Sequence, residues 1–528
     1  MKKALFASVA LVALAGCTHG GLRGAPHVLR IALAADPASL VPMLAIDQEV
    51  IGVDGFFCQT LVGLSSENRP VPLLVTRIPS RSNGDVSPDG TRIVYHLRRG
   101  VRFADGAPFT SADVAFTYRA LFDPRNRSVS LEPYRRILSL QTPDAYTVVV
   151  RLRGPWNAAV SVLFAQADYV YGILPKHAFA DTQVVGTRWE DAPFCTGPFR
   201  VKSWQRGDRI VLEPNPYYSP RPKLSRIDLQ IVPSLNSNFI ALRSGAVDVG
   251  TLTPENVAQA AQIAALRVLR VPENGTGLLY LNTQAFPTRD VRVRRAIAAA
   301  LNYDALAGAW RREYPPATSF LPPPIVRWKS VAIPTYAYDP AAAAREFDAA
   351  GWHLRGGVRW KGAAPLSGLI GMDSENPIQV RIATLLQSQL SAAGMQLSIK
   401  SNPTRIWFSP EGLLRNGKAT FAVETWVGGG DPEQSLNLRC VQAVKGDSNH
   451  SFYCSKAFEA LYDDQTRTPI PAQRDRDFNA IEQLIHADVP VIPLYYEQRL
   501  LGLNRRVSGY AINMLWIPTQ PERWDAQP

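Results

Sequence analysis

Two spacings of apolar residues alternate along the chain. Residues 91–97 place Ile93, Tyr95 and Leu97 on one side of a period-2 pattern, the mark of a half-buried strand. Ser87-Pro88-Asp89-Gly90 before it and Arg99-Gly100 after it read as turns, with Pro presetting φ and Gly free to take φ > 0. Val101 and Phe103 restart the strand, Asp105-Gly106 turns again, and Thr110-Ser111-Ala112-Asp113 opens a helix. A hydroxyl stands at its N-cap, with Asp113 at the positive end of its dipole. Further strands are expected at 27–33, 148–152, 210–212, 227–231, 279–283, 395–399 and 489–496. Helices are expected at 47–61, 290–302, 339–351, 377–394 and 472–486. In 377–394 the apolar stripe is Val380, Ile382, Leu385, Leu386 and Leu390, and in 290–302 Asp290 is the N-cap of an Ala-rich run. Strands and helices interleave throughout, which predicts an α/β protein.

A chain of 528 residues is too long for one core and predicts roughly two to four domains. Its start changes the picture. Lys2 and Lys3 precede an apolar stretch, 4–13, that is too short to span a bilayer, and Leu14-Ala15-Gly16-Cys17 matches the lipobox of bacterial lipoproteins. The expectation is export, with Cys17 lipidated as the mature N-terminus and 18–25 as a Gly-rich tether. A plain secretory peptide is the alternative. The formal charge of +12 becomes +10 without Lys2 and Lys3 (12 − 2), and it is dispersed in short clusters, which argues against a nucleic-acid partner. Beyond Cys17 lie Cys58, Cys195, Cys440 and Cys454, an even number that in an exported protein favours disulfides with three possible pairings. No C-x-x-C supports a zinc site instead. Enzyme signatures are missing: the sequence contains no G-x-S-x-G, no H-E-x-x-H and no Walker A loop, so neither catalytic residues nor a cofactor is assigned.

Read literally, 87–118 carries Asp-Gly-Thr and then Tyr-x-Leu-Arg-x-Gly-Val-x-Phe-x-Asp-Gly-x-Pro-Phe-Thr-x-x-Asp-Val. This string closely resembles the signature of the family 5 extracellular solute-binding proteins, the peptide- and nickel-binding components of ABC importers. Asp36-Pro37 through Leu40-Val41-Pro42, Ile173-Leu174-Pro175-Lys176-His177, Thr196-Gly197-Pro198-Phe199, Asp290 through Ile297 and Pro490 through Tyr495 resemble further stretches of that family. The resemblance implies a two-lobed periplasmic-binding-protein clamshell (type II, cluster C) with an extra third domain. Lobe I would comprise 26–64, 188–270 and 490–528, the extra domain 65–187, and lobe II 271–489, with crossings near 270 and 490. Relatives bridge a loop like the one between Cys440 and Cys454, so that pair is implied. Cys58–Cys195 is the second expected pair, Cys195 standing where relatives carry Gly.

The implied role is a monomeric, lipid-anchored receptor that closes on a peptide or peptide-like solute and passes it to membrane permease subunits. It would work on the periplasmic or cell-surface side of the membrane. A non-peptide solute, a nickel complex or haem, or a sensory role on the same fold are the alternatives that the resemblance leaves open. Peptide-binding relatives carry a Trp followed three residues later by an Asp that pairs with the ligand's α-ammonium. Here Trp426 is followed by Gly428, Gly429 and Asp431, with Gly429 at the Asp position, so free-amine dipeptides are expected to bind weakly. Trp426 is expected to wall the pocket, with the glycines admitting close approach. Phe56 and Phe57, Asn282, Met372 with Asp373 and Asn376, and Arg439 are the other implied contacts.

Overall fold

The computed structural model describes residues 26–44, 48–128, 131–166, 172–310, 313–326 and 333–527. The export signal, the tether and Cys17 lie outside the described residues. In chain order come β1 (Val28–Leu33), α1 (Gln48–Phe57), β2 (Arg92–His96), α2 (Ser111–Leu121), β3 (Ile137–Asp144) and β4 (Thr147–Leu152). Then follow β5 (Phe199–Gln205), β6 (Arg209–Pro214), β7 (Arg226–Ile231), α3 (Leu235–Ser244), β8 (Val249–Thr251) and the long β9 (Leu266–Leu281). The remainder holds α4 (Val291–Ala300), α5 (Pro340–Ala349), β10 (Ser367–Asp373), α6 (Pro377–Ala392), β11 (Gln396–Asn402) and β12 (Phe421–Val427). It closes with α7 (Pro432–Ser435), α8 (Lys456–Arg467), α9 (Pro471–Asp488) and the long β13 (Val491–Asn504).

Ten of these strands make one mixed sheet in the order β11-β10-β12-β9-β13-β8-β1-β7-β6-β5. Its two ends are separate halves, and β9 and β13 belong to both. Residues 266–272 of β9 pair antiparallel with 498–504 of β13 in the half that contains β8, β1 and β7. The register then shifts between Pro272 and Thr276 and again between Gly277 and Leu278; pairing with β13 resumes at Thr276, now with β12 on the other side of β9. Three strands outside this sheet, β2, β4 and β3 in that order, form a smaller sheet, with α2 contacting β3 and β4.

Local chemistry explains the elements. Asp113 accepts the backbone N–H of Thr110 at 2.8 Å, closing the first turn of α2. Asn376 accepts from Ile378 and Gln379 at the start of α6, where Pro377 occupies the first helical position. Gly245 ends α3 in the left-handed conformation, φ 74°, that glycine takes without steric cost. Ile382, Leu386 and Leu390 of α6 are completely buried against Ile370 and Phe347, each contributing roughly 1.5–3 kcal/mol of apolar transfer. A separate core joins the smaller sheet to the β1 half. Asp248, buried just before β8, takes Arg30 of β1 at 2.9 Å and Arg506 at 2.8 Å, which hold its carboxyl below the usual carboxylate range against the pull of burial. Disulfides Cys58–Cys195 and Cys440–Cys454 are both formed, as expected.

Candidate functional site

Parallel strands β10 and β11 stop at Asp373 and Asn402, while their neighbour β12 runs on past Glu424. Space opens beyond their carboxyl ends, where α/β sheets bind ligands. A cleft of about 550 Å³ fills it. One wall is the start of α6 with Asp373; the facing wall is the turn after β8, with Arg499 of β13 and Trp516. The floor is the register shift of β9 and β13, where Glu273 and Glu497 lie.

The lining is acidic: among the described residues, Glu255, Glu273, Asp373, Glu375, Glu424 and Glu497 face the cleft against the single cation Arg499. Glu424 accepts the Thr425 N–H at 2.7 Å, the Gln379 amide at 3.2 Å and the Trp407 indole. These neutral donors do not offset desolvation, and burial pushes its carboxyl up to about 7. Glu497 accepts the Thr425 hydroxyl at 3.0 Å, and burial, then the neighbouring Glu273, pushes it up to about 8. Glu273 accepts the Trp516 indole N–H at 2.6 Å. Arg499 stacks 3.4 Å over the Trp516 ring and donates to Thr251 at 2.9 Å. Glu255 pairs with Arg381 at 2.9 Å.

Of the residues singled out in the sequence, Asp373 and Asn376 line this cleft. Asp373 accepts from Thr404 at 2.7 Å, and Met372 beside it packs against the core under α6. Trp426 lies on the same face of β12 as Glu424, two residues further along. Gly428 and Gly429 follow it; a Cβ at Gly428 would overlap Ser435 Oγ, so the chain needs glycine there, and the Gly429 carbonyl accepts the Asn274 amide. Asp431 caps α7, accepting from Glu433 N–H at 3.0 Å, and pairs with Arg474 at 2.6 Å. Phe56 and Phe57 lie in the core of the β1 half, Phe56 edge-on to Phe199 and Trp524, and are not brought to the cleft. Asn282 closes the turn after β9, accepting from Gln284 and Ala285. Arg439 pairs with Glu459 at 2.6 Å and stacks 4.1 Å over Tyr462, lining a different depression of about 920 Å³ between the smaller sheet and α8.

That second groove is also a contact between parts of the molecule. Buried Glu433 accepts the Trp156 indole at 3.1 Å and the Tyr462 hydroxyl at 3.3 Å, with Arg136 at 3.7 Å. Asn157 donates to the carbonyls of Gln465 and Thr468 at the end of α8.

Glu273, Glu424, Glu497, Arg499 and Trp516 were not found by sequence reasoning. The available signal was a lone glutamate inside otherwise apolar strand segments, as in Ala422-Val423-Glu424-Thr425-Trp426. Among the described residues, no group of three or more His, Cys, Asp or Glu is arranged to hold a metal ion, and no helix is long and apolar enough to cross a membrane.

A two-part sheet sharing two strands, with a cleft at the strand ends, is the two-lobed architecture of a solute-binding protein. Residues 69–446 match the model of the bacterial extracellular solute-binding proteins, family 5, and the chain belongs to that family. It is 25% identical over 500 residues, 92% of each chain, to a probable D,D-dipeptide-binding periplasmic protein of Escherichia coli (strain K12). It is 26% identical over 467 residues, 83% of this chain and 85% of the other, to a probable di/tripeptide-binding protein of Pseudomonas aeruginosa (strain UCBPP-PA14). The fold matches the crystal structure of an ABC transporter substrate-binding protein from Listeria monocytogenes with a TM-score of 0.82 at 20% identity, covering 95% of this chain and 99% of that one.

Proposed function

We propose that this protein is the receptor of an ABC importer, catching a peptide or peptide-like solute between its lobes and handing it, chemically unchanged, to membrane permease subunits. Family membership combined with an interlobe cleft of about 550 Å³ is the observation that carries the reading. The lobes are those drawn from the sequence, 26–64 with 188–270 and 490–528 against 271–489, with 65–187 as the additional domain. Trp516 and the apolar body of Trp426 exclude water, and closure over the ligand creates the surface that the permease reads. The surplus of carboxylates suits a solute carrying a protonated amine, a charge that Gly429 cannot meet. Cys17 carries the lipid that keeps a single copy of the receptor at the membrane.

Mass spectrometry of small molecules co-purified with the chain from Thr18 onward is the direct test. The expected result is a peptide or peptide-like solute, recovered intact and rebinding in calorimetry. Recovery of a transformed product, or of no solute that rebinds, overturns the proposal. Cys17→Ser is expected to move the protein from the membrane fraction to the soluble one.

A further inference from the structure

A second cavity lies between the later turns of α9 and the start of β13. Its volume is about 210 Å³, room for one compact organic group, and it shares no lining residue with the cleft. Four aromatic side chains line it: Tyr303, Trp310, Phe320 and Tyr336. Among them stands Glu482 of α9, 4% exposed and the single carboxylate of the lining among the described residues. His486 lies one turn further along the same helix face.

The polar tips of the rings are engaged elsewhere. Tyr303 donates to the Ala298 carbonyl at 3.0 Å, Tyr336 to that of His486 at 3.0 Å, and the Trp310 indole to that of Tyr314 at 3.1 Å. The hydroxyls of Thr318 and Ser319 meet that of Tyr496, and Ser319 also donates to the Leu321 carbonyl at 3.0 Å. What the rings leave for the cavity is therefore carbon. Glu482 is the exception. Among the described residues it accepts only the backbone N–H groups of Phe320 at 3.0 Å and Leu321 at 2.8 Å, and no cation pairs with it. Two neutral donors do not offset desolvation, and burial pushes this carboxyl up to about 7. His486, stacked on Tyr336 at 4.4 Å, does not supply the missing charge, because burial lowers its own proton affinity. A buried carboxyl without a countercharge, walled by rings, fits a cation that needs few hydrogen-bond acceptors.

We infer that this cavity is a ligand site separate from the solute cleft, taking a methylated ammonium such as choline, with Glu482 as counter-ion and the rings of Trp310 and Tyr336 as walls. A methylated ammonium presents its charge through methyl groups, donates no N–H and is attracted to aromatic rings. A hard metal ion needs several oxygens and a primary ammonium several acceptors, whereas this lining offers one carboxyl group.

The experiment is calorimetry of choline and of 3,3-dimethylbutanol, its uncharged counterpart of the same shape, at about pH 8, above the Glu482 value. The proteins are the chain from Thr18 onward, Glu482→Gln and Tyr336→Leu, each with its melting temperature. Choline is expected to bind the wild type with a Kd of about 1 mM or tighter, and dimethylbutanol at least about 10-fold more weakly. Both variants are expected to weaken choline at least about 10-fold, and choline should raise the melting temperature of the wild type but not of Tyr336→Leu. Glu482→Gln keeps one acceptor oxygen for the loop; should it fail to melt cooperatively, Tyr336→Leu alone decides. No choline binding to the wild type, equal binding of the two compounds, or unchanged choline binding in a folded variant overturns the site.

Discussion

The cleft at the strand ends and the groove beside α8 are both open depressions, about 550 and 920 Å³, and they dispose of charge in opposite ways. In the groove, Arg136 and Arg439 meet Glu433 and Glu459 and lie over aromatic rings. Most of its charges are paired within the protein, tying the smaller sheet to α8, although burial still raises the Glu433 carboxyl above its ordinary value. In the cleft, Glu424 and Glu497 meet indole, amide and hydroxyl donors, and burial raises both carboxyls toward neutral pH. A region neutralised by its own ion pairs is structural, whereas one that holds carboxylates against neutral donors is poised to exchange a proton for a ligand's positive charge.

The largest expected effect is in the groove. Glu433→Ala strands the Trp156 indole, the Tyr462 hydroxyl and Arg136, and should cost about 3 kcal/mol in urea unfolding. An unchanged midpoint would remove the structural half of the contrast. Next, Trp426→Ala should weaken the co-purified solute by roughly 1–3 kcal/mol in calorimetry while Arg439→Ala leaves it unchanged. Equal losses in the two variants would erase the distinction. Glu497→Gln should be nearly neutral for folding below about pH 4.5, where the carboxyl is protonated in both states, and should stabilise the unliganded protein at pH 7. Burial and the neighbouring Glu273 push the folded carboxyl up to about 8 from its ordinary value of 4.5, so the native state binds the extra proton between these values. Stability of the unliganded protein from this group is full at low pH and is lost as pH rises from about 5 to 8; the melting temperature should fall over that window and Glu497→Gln should flatten the slope. Smallest is Arg439→Lys, which keeps the charge of a half-exposed pair and should shift stability by less than about 1 kcal/mol.

Much of the frame was legible in the sequence because it is local. The Thr110–Asp113 opening of α2, the Ile382–Leu386–Leu390 stripe of α6 and the strands at 27–33 and 227–231 depend on neighbours three or four residues away or fewer. The strand expected at 279–283 was read too short: β9 spans Leu266–Leu281, because its polar middle, Pro272 to Thr276, hides one strand between two apolar runs. The cleft was the least legible part. Glu273, Glu424 and Glu497 come from three strands that meet only after folding, and in sequence each is a single charge with nothing beside it to suggest the others. His450 sits in a loop whose polar residues read as surface, yet the ring is buried against Trp426 and Tyr280.

β9 and β13, the two strands shared by the halves, pair with each other on both sides of the gap between Pro272 and Thr276, with a second register shift between Gly277 and Leu278. They therefore cannot bend independently like two separate strings. A relative motion of the two halves would therefore act on the pairing of these two strands, and Glu273 and Glu497 stand at its first interruption.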